Sequence, residues 1–567
     1  YLSRLGETDA QSFKKLDQVI NGVERLKVKF RQTSPLAQRL LCEYLYALSY
    51  RGRHVDVLTV REQLGKPVHD MPAYVRHSIA DAYLATRQPK QAESVYLSLL
   101  SEKNYADMTV YTSLYYALIE QEKYTEANRL IREVDKRIPT FQYSLAKGVD
   151  KRVHPDRADY MGLKETAYAY SNQLERAEHN LNKITAQTPN NQDFLNSLAR
   201  IQRWREKPQL SQQTLARLNG LAPQSKSTRI NQMQNMQALG DVSAWRDQTQ
   251  LLTEFYPTDT SVIKSAKELE DRDHFSISHA SRFSKSKADQ DQVLETLKGS
   301  QDFESTTRIN SPWFAENYQV FTEYQQRMGD YRDGKIQEKR GGLGAEWAFK
   351  QKSLTAILSQ DLDGDRAGLA LDWNHRLNDH WRYNLSFDSQ ADVPLQALKM
   401  DEDAQSYGIG LGWQANESKQ ATLQYQATDI SDGNLRQELS AAYYQNIWTQ
   451  AHHTTRAGVS AYLGKNSSDE TSYFSPKESL SAAVDVRHDW LTWRNYEQSL
   501  TQQLSLTAGV YKQNRFDAEA VFDARYAHKW QISRTWGVNY GLGWGVHPYD
   551  GVKETQWYGN LGFEGRF

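Results

Sequence analysis

The last eight residues of the chain, NLGFEGRF (Asn560–Phe567), alternate apolar and polar side chains up to an aromatic end. Successive side chains of a strand point to opposite faces, so Leu561 and Phe563 would share one face. In a soluble sheet that face would meet a core. In an outer-membrane barrel it would meet lipid, while Glu564 and Arg566 would face the lumen. The rest of the chain decides between these two structures.

The composition is that of an ordinary chain of 567 residues, with a formal net charge of −1 and a mean hydropathy of −0.76. This balance of charge argues against a nucleic-acid-binding protein. The sequence has no run of about 18 apolar residues, which excludes a transmembrane helix, but a barrel strand needs only about ten alternating residues. The single cysteine, Cys42, is predicted to be a buried thiol in a helix. The chain shows no secretion signal, and we expect that further residues precede Tyr1 in the complete protein.

The chain changes character near residue 273. From Asp273 onward it holds 12 of the 14 tryptophans and 23 of the 31 glycines. The same part carries 38 acidic and 30 basic side chains (−8), which leaves 32 acidic and 39 basic (+7) for the first 272 residues. We predict two domains, residues 1–268 and residues 273–567.

The first of these domains is repetitive. Pro189, Pro223 and Pro257 recur every 34 residues, the period of a tetratricopeptide repeat, and each follows an apolar helical run that a proline ring would end. Small and aromatic residues occupy the positions typical of such a repeat between residues 73 and 103: Ala80, Tyr83, Ala92 and Tyr96. We therefore predict a tetratricopeptide α-superhelix.

The second domain alternates with a period of two. One set of alternating positions is apolar or aromatic in many consecutive segments, among them Leu343–Phe349, Tyr407–Trp413 and Trp536–Trp544. Aromatic residues often close such a run, as in the interfacial girdle of a membrane barrel. With weaker candidates at 274–283 and 302–309, we count about sixteen strands. The prediction is an α+β chain of two domains, in which the repeats precede a 16-stranded antiparallel transmembrane β-barrel.

Long and short connections alternate between these strands. SQADVPLQALKMDEDAQ (Ser389–Gln405) and KNSSDETSYFSPKE (Lys465–Glu478) are long, whereas ANESKQ and QISR are short turns. Bacterial barrels place their short turns in the periplasm and their long loops outside. Because long loops without secondary structure are usually functional or disordered, we expect Ser389–Gln405 to fold over the external mouth as a gate.

The repeat segment ADAYLATRQPKQAESVYLSLL and the closing segment WYGNLGFEGRF resemble the poly-β-1,6-N-acetylglucosamine export porins of Gram-negative biofilm formers. The likeness spans the chain, although the signal peptide and earliest repeats of that family have no counterpart here. It implies an outer-membrane barrel that secretes partly deacetylated poly-N-acetylglucosamine, with periplasmic repeats that dock the deacetylase and the polymer. Outer-membrane lipid would surround the barrel, and the aromatic last strand suits the barrel assembly machinery. No nucleic-acid partner is expected.

The sequence shows no catalytic constellation such as GxSxG, HExxH or a phosphate-binding glycine loop. We predict that the protein is not an enzyme and that it holds no cofactor and no metal. His452 and His453 are interpreted as a surface turn without a nearby carboxylate or third histidine. The aspartates of DLDGDRAG have the spacing of a calcium loop, but Arg366 replaces the glycine that such a loop needs, so we interpret them as a polar loop.

Carboxylates recur at the inward positions of the predicted strands. The pore-lining candidates are Glu323, Glu346, Asp372, Asp388, Glu438, Asp485 and Asp523. Spaced carboxylates in a water-filled pore would attract a polymer with scattered ammonium groups weakly and at many points. The structural alternative is that neighbouring arginines on the same face, Arg487 and Arg525, form ion pairs with two of them.

On the repeats, first-helix positions on the concave side combine aromatic and polar groups that suit contact with a protein or a sugar. These candidates for partner or polymer binding are Tyr74, His77, Asp81, Tyr116, Glu120 and Tyr170. The alternative is that most of them are solvated and bind nothing.

Two other functions remain open. A cellulose-type export porin would share this architecture and carry a neutral polymer. An outer-membrane scaffold or receptor would use a plugged barrel only as the anchor of repeats that recruit partners. Single-channel conductance separates a porin from a plugged scaffold.

The compositional break leads to a first prediction. Residues 273–567 should refold alone in detergent into a barrel whose gel mobility shifts on heating, because every strand finds its partner within that segment. Residues 1–268 should be soluble and helical. Far-UV circular dichroism of the two fragments checks this division, and a helical spectrum from residues 273–567 would contradict it.

Overall fold

The computed structural model describes residues 13–27, 34–102, 105, 107–144, 150–288, 300–331 and 334–567. The chain forms two compact units. The first consists of Tyr1–Ile201, Ser211–Gln234 and Arg246–Lys267, and the second of Gln202–Leu210, Asn235–Trp245 and Glu268–Phe567. The predicted bounds 1–268 and 273–567 stay a prediction, although the last long helix ends at Glu270 and the barrel strands begin at Ser276.

Consecutive antiparallel helices fill the first part of the chain. They are α1 Lys14–Lys27, α2 Pro35–Tyr50, α3 His54–Gln63, α4 Ala73–Ala85, α5 Pro89–Leu100, α6 Met108–Ile119, α7 Tyr124–Arg137, α8 Arg157–Tyr170, α9 Leu174–Gln187, α10 Gln192–Trp204, α11 Pro208–Leu221, α12 Lys226–Ala238, α13 Val242–Phe255 and α14 Thr260–Glu270. None of the helices in the described residues combines the length and the apolar character needed to cross a membrane.

The turns inside successive helix pairs have the same backbone conformation. One residue in each turn has a positive φ between 58° and 77°: Gly52, Arg87, Glu122, Asn172, Glu206 and Gly240. Neighbouring members of this set are 34 or 35 residues apart, except for the 50 residues between Glu122 and Asn172. A hairpin of β1 (Phe141–Ser144) and β2 (Asp150–Val153) occupies this longer interval. The helical repeat is confirmed, but the sequence did not predict the hairpin.

Small residues let the paired helices approach closely, as the repeat signature requires. Ala80, Ala92 and Tyr96 are fully buried, and the Tyr96 hydroxyl donates to Asp81 Oδ1 at 2.6 Å. Burial, reinforced by this carboxylate, raises the pKa of Tyr96 far above its usual value. Cys42 is only partly buried, against the prediction of a buried thiol, and packs on the core of α1 to α4.

The barrel consists of sixteen antiparallel strands in a closed ring, which confirms the predicted count. The strands are β3 Ser276–Ala288, β4 Gln301–Asn310, β5 Tyr318–Tyr331, β6 Gly334–Phe349, β7 Lys352–Asp361, β8 Ala367–Arg376, β9 Trp381–Asp388, β10 Ala404–Asn416, β11 Lys419–Ile430, β12 Leu435–Gln450, β13 His453–Asn466, β14 Glu478–Asn495, β15 Gln498–Gln513, β16 Glu519–Gln531, β17 Gly537–Tyr549 and β18 Val552–Arg566. The last strand pairs with the first, from Arg566 opposite Ser276 to Glu554 opposite Ala288.

Each strand divides its side chains between two faces of the wall. The outward face holds large apolar side chains that are exposed in the isolated protein, such as Leu343 (71%), Leu358 (66%), Leu542 (65%) and Trp557 (65%). The inward face alternates with it and holds polar side chains and glycines. This distribution is the one that a lipid-exposed barrel with a polar interior requires.

The left-handed turns of the repeats predict opposite effects for two substitutions. Gly52→Ala should destabilise the helical unit by about 1–2 kcal/mol, because the left-handed conformation disfavours residues with a Cβ. The added Cβ would also lie 2.6 Å from Thr258 Oγ1. Glu122→Gly, at an equivalent turn with φ of 61°, should instead leave stability unchanged or raise it by up to about 1 kcal/mol.

Urea unfolding of the helical signal in far-UV circular dichroism measures both variants. A Gly52→Ala protein as stable as the parent would show that the turn conformation does not constrain the repeat.

Candidate functional site

The seven predicted pore-lining carboxylates all lie on the inward face of the barrel wall, out of phase with the exposed leucines. They belong to seven different strands: Glu323 to β5, Glu346 to β6, Asp372 to β8, Asp388 to β9, Glu438 to β12, Asp485 to β14 and Asp523 to β16. Their position follows from the period of two along each strand. Their role in lining a transport path stays a prediction.

Glu323 differs from the other six because it is part of an ion pair. Its Oε2 atom lies 2.6 Å from Nη2 of Arg308 on the neighbouring strand, and the carboxylate is 8% exposed. Gln325 Nε2 donates to its other oxygen at 2.7 Å. Among the described residues, Glu323 is the only one of the seven with a basic nitrogen within 4 Å. It is therefore better placed to hold the wall together than to attract a solute.

Asp485 and Asp523 lie at the same level of the wall, on either side of Thr507 in β15. The Thr507 hydroxyl donates to Asp485 Oδ1 at 2.7 Å, and the Ser460 hydroxyl donates to Oδ2 at 2.9 Å. Both oxygens of Asp523 lie 2.9 Å from the Tyr558 hydroxyl. Neutral donors therefore orient these two carboxylates without cancelling their charge.

The alternative of ion pairs between neighbouring inward residues is wrong for both predicted pairs. Within the described residues, Arg487 is paired with Asp489 at 2.8 Å, and Arg525 donates to the amide oxygen of Asn560 at 2.9 Å. Hydroxyl groups on the two adjacent strands already contact both oxygens of Asp485, and the Tyr558 hydroxyl, two strands away on β18, contacts both oxygens of Asp523, so each arginine bonds to another acceptor.

The remaining candidates have polar neighbours of other kinds. Glu438 accepts a hydrogen bond of 2.6 Å from the Tyr462 hydroxyl, and Asp372 accepts one from the Asn374 amide. Asp388 accepts from the backbone N–H of Gln390 at 2.9 Å, directly after β9. Glu346 is half-buried in the wall.

Inward tyrosines form a feature of the lumen that the sequence analysis missed. Each of three inward tyrosines lies against a glycine of the wall. A Cβ added to Gly458 would lie 2.2 Å from Tyr444, one added to Gly464 would lie 2.7 Å from Tyr462, and one added to Gly543 would lie 2.1 Å from Tyr558. Glycine at these positions leaves room for the rings to lie along the wall. The sequence pattern that could have predicted this feature is a tyrosine and a glycine that both occupy inward positions of the strands.

The segment predicted to act as a gate is ordered, and its role as a gate stays a prediction. Residues 389–403, named the lid segment, connect β9 to β10 and include a short helix, α15 (Leu395–Leu398). This helix contacts β5 and β6, which are separated from β9 by two further strands. Ala404 and Gln405 belong to β10, so the segment is two residues shorter than predicted.

A second connection contributes to the same lid. Tyr473, between β13 and β14, is 2% exposed and packs in one apolar cluster with Val393, Ala397, Ala404 and Ile430. Its hydroxyl donates to Asp432 Oδ2 at 2.7 Å. Burial raises the pKa of Tyr473 to about 12, so this donor keeps its proton at physiological pH. Two loops that are far apart in sequence are therefore joined by a common core.

A charge cluster attaches the lid segment to the inward face of β5 and β6. Asp392 Oδ1 lies 3.4 Å from Nη2 of Arg327 and 3.3 Å from Nη1 of Arg340, and Arg327 Nη1 donates to the Val393 carbonyl at 3.0 Å. Glu338 is 4% exposed and accepts from both arginines, at 2.8 Å and 2.9 Å. Asp392 is 58% exposed, which makes it the member of the cluster most accessible to solutes.

The candidates on the repeats fall into three groups. His77 lies 3.8 Å from Asp81 and 3.3 Å from the Tyr105 hydroxyl. The rings of Tyr116 and Tyr170 make an edge contact with centroids 6.1 Å apart. Of the two other candidates, Tyr74 donates to Glu43 at 3.0 Å and Glu120 is exposed at the end of α6, near Tyr170. Whether any of them binds a partner stays a prediction.

The interpretation of His453 needs correction. Its Nδ1 lies 3.2 Å from Nε2 of His488 on the adjacent strand, so a third histidine is close to the His452–His453 pair after all. Pairing of β13 with β14 brings the two rings together, which sequence spacing does not show. In the described part of the chain, no group of three or more potential ligands is arranged to hold a metal ion.

Fold and site together define a class of protein: an outer-membrane β-barrel with helical repeats of tetratricopeptide type ahead of it in the chain. Residues 287–567 match the family described as "PgaA membrane beta barrel domain". The match covers just under half of the chain.

The curated relatives include the "Poly-beta-1,6-N-acetyl-D-glucosamine export protein" of Escherichia coli, strains K12 and O157:H7. Each is 24% identical over 546 residues, which cover 94% of this chain and 66% of the relative. The chain thus spans slightly less than two thirds of the length of these relatives. Among solved structures, a "Bacterial polysaccharide outer membrane secretin" is 22% identical with a TM-score of 0.47, over 52% of this chain and 99% of that chain. A tetratricopeptide repeat protein from Parabacteroides merdae is 12% identical with a TM-score of 0.34, over 45% of this chain and 93% of that one.

We expect single-channel conductance to change when the lid segment is deleted or when the charge of Asp392 is removed. Removing residues 390–402 should raise single-channel conductance, because it removes the apolar contacts made by Val393 and Ala397. Asp392→Asn should increase the open fraction about fivefold, since an ion pair with one solvent-exposed partner contributes about 1 kcal/mol. Asp401→Asn, in the same segment but outside the charge cluster, is the matched control. Planar-bilayer recording measures all three variants, and an unchanged pore after the deletion would show that the segment is not a gate.

Proposed function

We propose that the protein exports partly deacetylated poly-β-1,6-N-acetylglucosamine across the outer membrane, through the barrel, for biofilm formation. The observation that carries the proposal is the set of inward carboxylates, spread over seven strands of a closed barrel. The proposal is supported by the relatives, which are named as export proteins for this polymer.

The state of these carboxylates suits a cationic polymer. Six of the seven have no basic nitrogen within 4 Å among the described residues, and hydroxyl, amide or backbone donors orient five of those six directly. Among the described residues, no ion pair offsets the charge of these carboxylates. Each contact with an ammonium group would be weak, so the polymer is attracted at many points and trapped at none.

The inward tyrosines provide the second element of the path. The hydroxyls of Tyr462 and Tyr558 donate to the carboxylates Glu438 and Asp523, and Tyr444 and Asp485 lie on either side of Gly458 in the strand register. A ring face attracts a ligand cation and also packs against the apolar face of a sugar ring. This combination favours an amino sugar over the neutral glucose polymer of a cellulose-type exporter.

The lid supports a second candidate, a plugged outer-membrane scaffold. Its apolar core around Val393 and Tyr473 closes part of the mouth, and a permanently closed lid would leave the barrel only as an anchor. The lid core is small, however, and the Asp392 side chain is 58% exposed, which favours a lid that opens.

For the repeats, we propose docking of the periplasmic deacetylase and of the polymer, without a catalytic role for the chain itself. The support is the line of aromatic contacts along successive repeats. Tyr46 meets Tyr74 at 5.7 Å, His77 meets Tyr105 at 5.9 Å, and Tyr116 meets Tyr170 at 6.1 Å between ring centroids.

Neutralising several inward carboxylates together tests the transport path. The variant Asp372→Asn/Asp485→Asn/Asp523→Asn should export severalfold less polymer, because three attractive charges of up to about 1 kcal/mol each are lost while every acceptor oxygen stays. Single changes should have little effect, since neighbouring contacts share the polymer. The assay is secreted polymer per correctly inserted barrel.

The matched control removes three charges outside the lumen, in Asp365→Asn/Asp401→Asn/Glu470→Gln, and should export normally. Glu323→Gln is kept out of the combination because it leaves Arg308 unpaired and should lower barrel stability instead. Normal export by the combined lumen variant would contradict the electrostatic path.

A further inference from the structure

An apolar groove lies on the outward face of the barrel, across β11 to β15. Its floor is a continuous row in the strand register: Tyr425 opposite Leu439, Leu439 opposite Leu463, and Leu463 opposite Leu480. The exposure of these four side chains ranges from 36% to 49%, and the groove has a volume of about 800 Å³. The groove is on the lipid-facing side because its floor shares the phase of the other exposed apolar residues.

Basic side chains surround one end of this floor. Lys512 is the register partner of Leu480, and Lys465 lies two residues beyond Leu463 on the same strand face. Arg515 also lines the groove, with 74% of its side chain exposed, and lies 3.2 Å from Asp469. Within the part of the chain that the structure describes, neither lysine has a carboxylate oxygen within 4 Å.

The groove also contains acidic groups, so its charge is mixed. Glu478 is the register partner of Lys465 and lies between the two lysines, and Asp517 lies beside Arg515. The site therefore offers three cationic donors together with carboxylate acceptors. A bare phosphate would use only the donors, whereas a phosphorylated sugar would use both kinds of group.

The position of the groove along the barrel identifies the leaflet. Its cationic end adjoins the connections from β13 to β14 and from β15 to β16, which are the long and intermediate ones. The two-residue turns after β10, β12 and β14 lie at the other end. Because long connections of bacterial barrels face outward, the basic residues are at the level of the outer leaflet.

We propose that this groove binds a phosphorylated, multiply acylated glycolipid of the outer leaflet, of the lipid A type. The acyl chains lie over the row of Leu439, Leu463 and Leu480, where they remove apolar surface from contact with the disordered bulk lipid. Lys465, Lys512 and Arg515 bind the phosphate groups, and Glu478 accepts hydrogen bonds from the sugar. The exported polymer has no part in this site, so the proposal does not depend on the proposed transport function.

Native mass spectrometry of the full chain in detergent tests the proposal, with bis-phosphorylated lipid A as the probe. Lys465→Gln/Lys512→Gln/Arg515→Gln should bind the probe at least about tenfold more weakly, because each phosphate loses its charge-assisted donors. Lys352→Gln/Lys419→Gln is the matched control, since these two lysines start strands at the opposite, short-turn end of the wall. The control should bind like the parent protein. A gel-mobility shift on heating shows whether the triple variant has folded. If it has not, the single variant Lys465→Gln, measured alongside, tests the proposal in its place.

Two further lipids make the result specific. Dephosphorylated lipid A and phosphatidylglycerol should both bind the parent at least about tenfold more weakly than the probe, since the first lacks the phosphates and the second lacks the sugar acceptors and donors. Equal binding of the probe to the parent and to folded basic-residue variants would overturn the proposal. Binding of phosphatidylglycerol as tight as that of lipid A would overturn the assignment to a glycolipid.

Discussion

A chain that crosses a bilayer as strands must pair every backbone N–H and C=O group within the protein, because lipid offers no partner for them. Here that constraint is met by closure of the ring, in which β18 pairs with β3 along thirteen consecutive residue pairs. Closure fixes the phase of every strand, since a shift by one residue would move the apolar set into the lumen. The lipid face, the lumen face and the level of each side chain all follow from this one ring.

The interior of the ring is arranged by smaller interactions that depend on its register. Thr507 lies between Asp485 and Asp523 because β15 separates their strands, and Tyr558 reaches Asp523 because Gly543 leaves room for its ring. The lid depends on the same frame. Its charge cluster needs Arg327 opposite Glu338, with Arg340 two residues further along the same face of β6, and the register of β5 with β6 provides this arrangement. Wall, lumen and lid are thus successive consequences of one hydrogen-bond pattern.

The sequence predicted those parts of the structure that have a period. Alternation gave the strands and the inward position of all seven carboxylates, and the 34-residue interval of the prolines gave the helical repeat. Features without a period escaped prediction. Tyr473 is an apolar anchor in an irregular loop, the hairpin at Phe141–Val153 is a short polar insertion, and the contact of His453 with His488 arises only from pairing of two strands. The partners of Asp485 likewise come from neighbouring strands, which explains why an arginine nearby in sequence was the wrong choice.

If the barrel interior is an electrostatic path for a cationic chain, the purified full-length protein should select cations. Its ion selectivity is measured from the reversal potential under a potassium chloride gradient in a planar bilayer. We expect a clear preference for potassium over chloride, because most of the inward carboxylates have no ion-pair partner, and a smaller preference at high salt, where their charges are screened. A pore that prefers chloride, or one that does not discriminate at low salt, would contradict it.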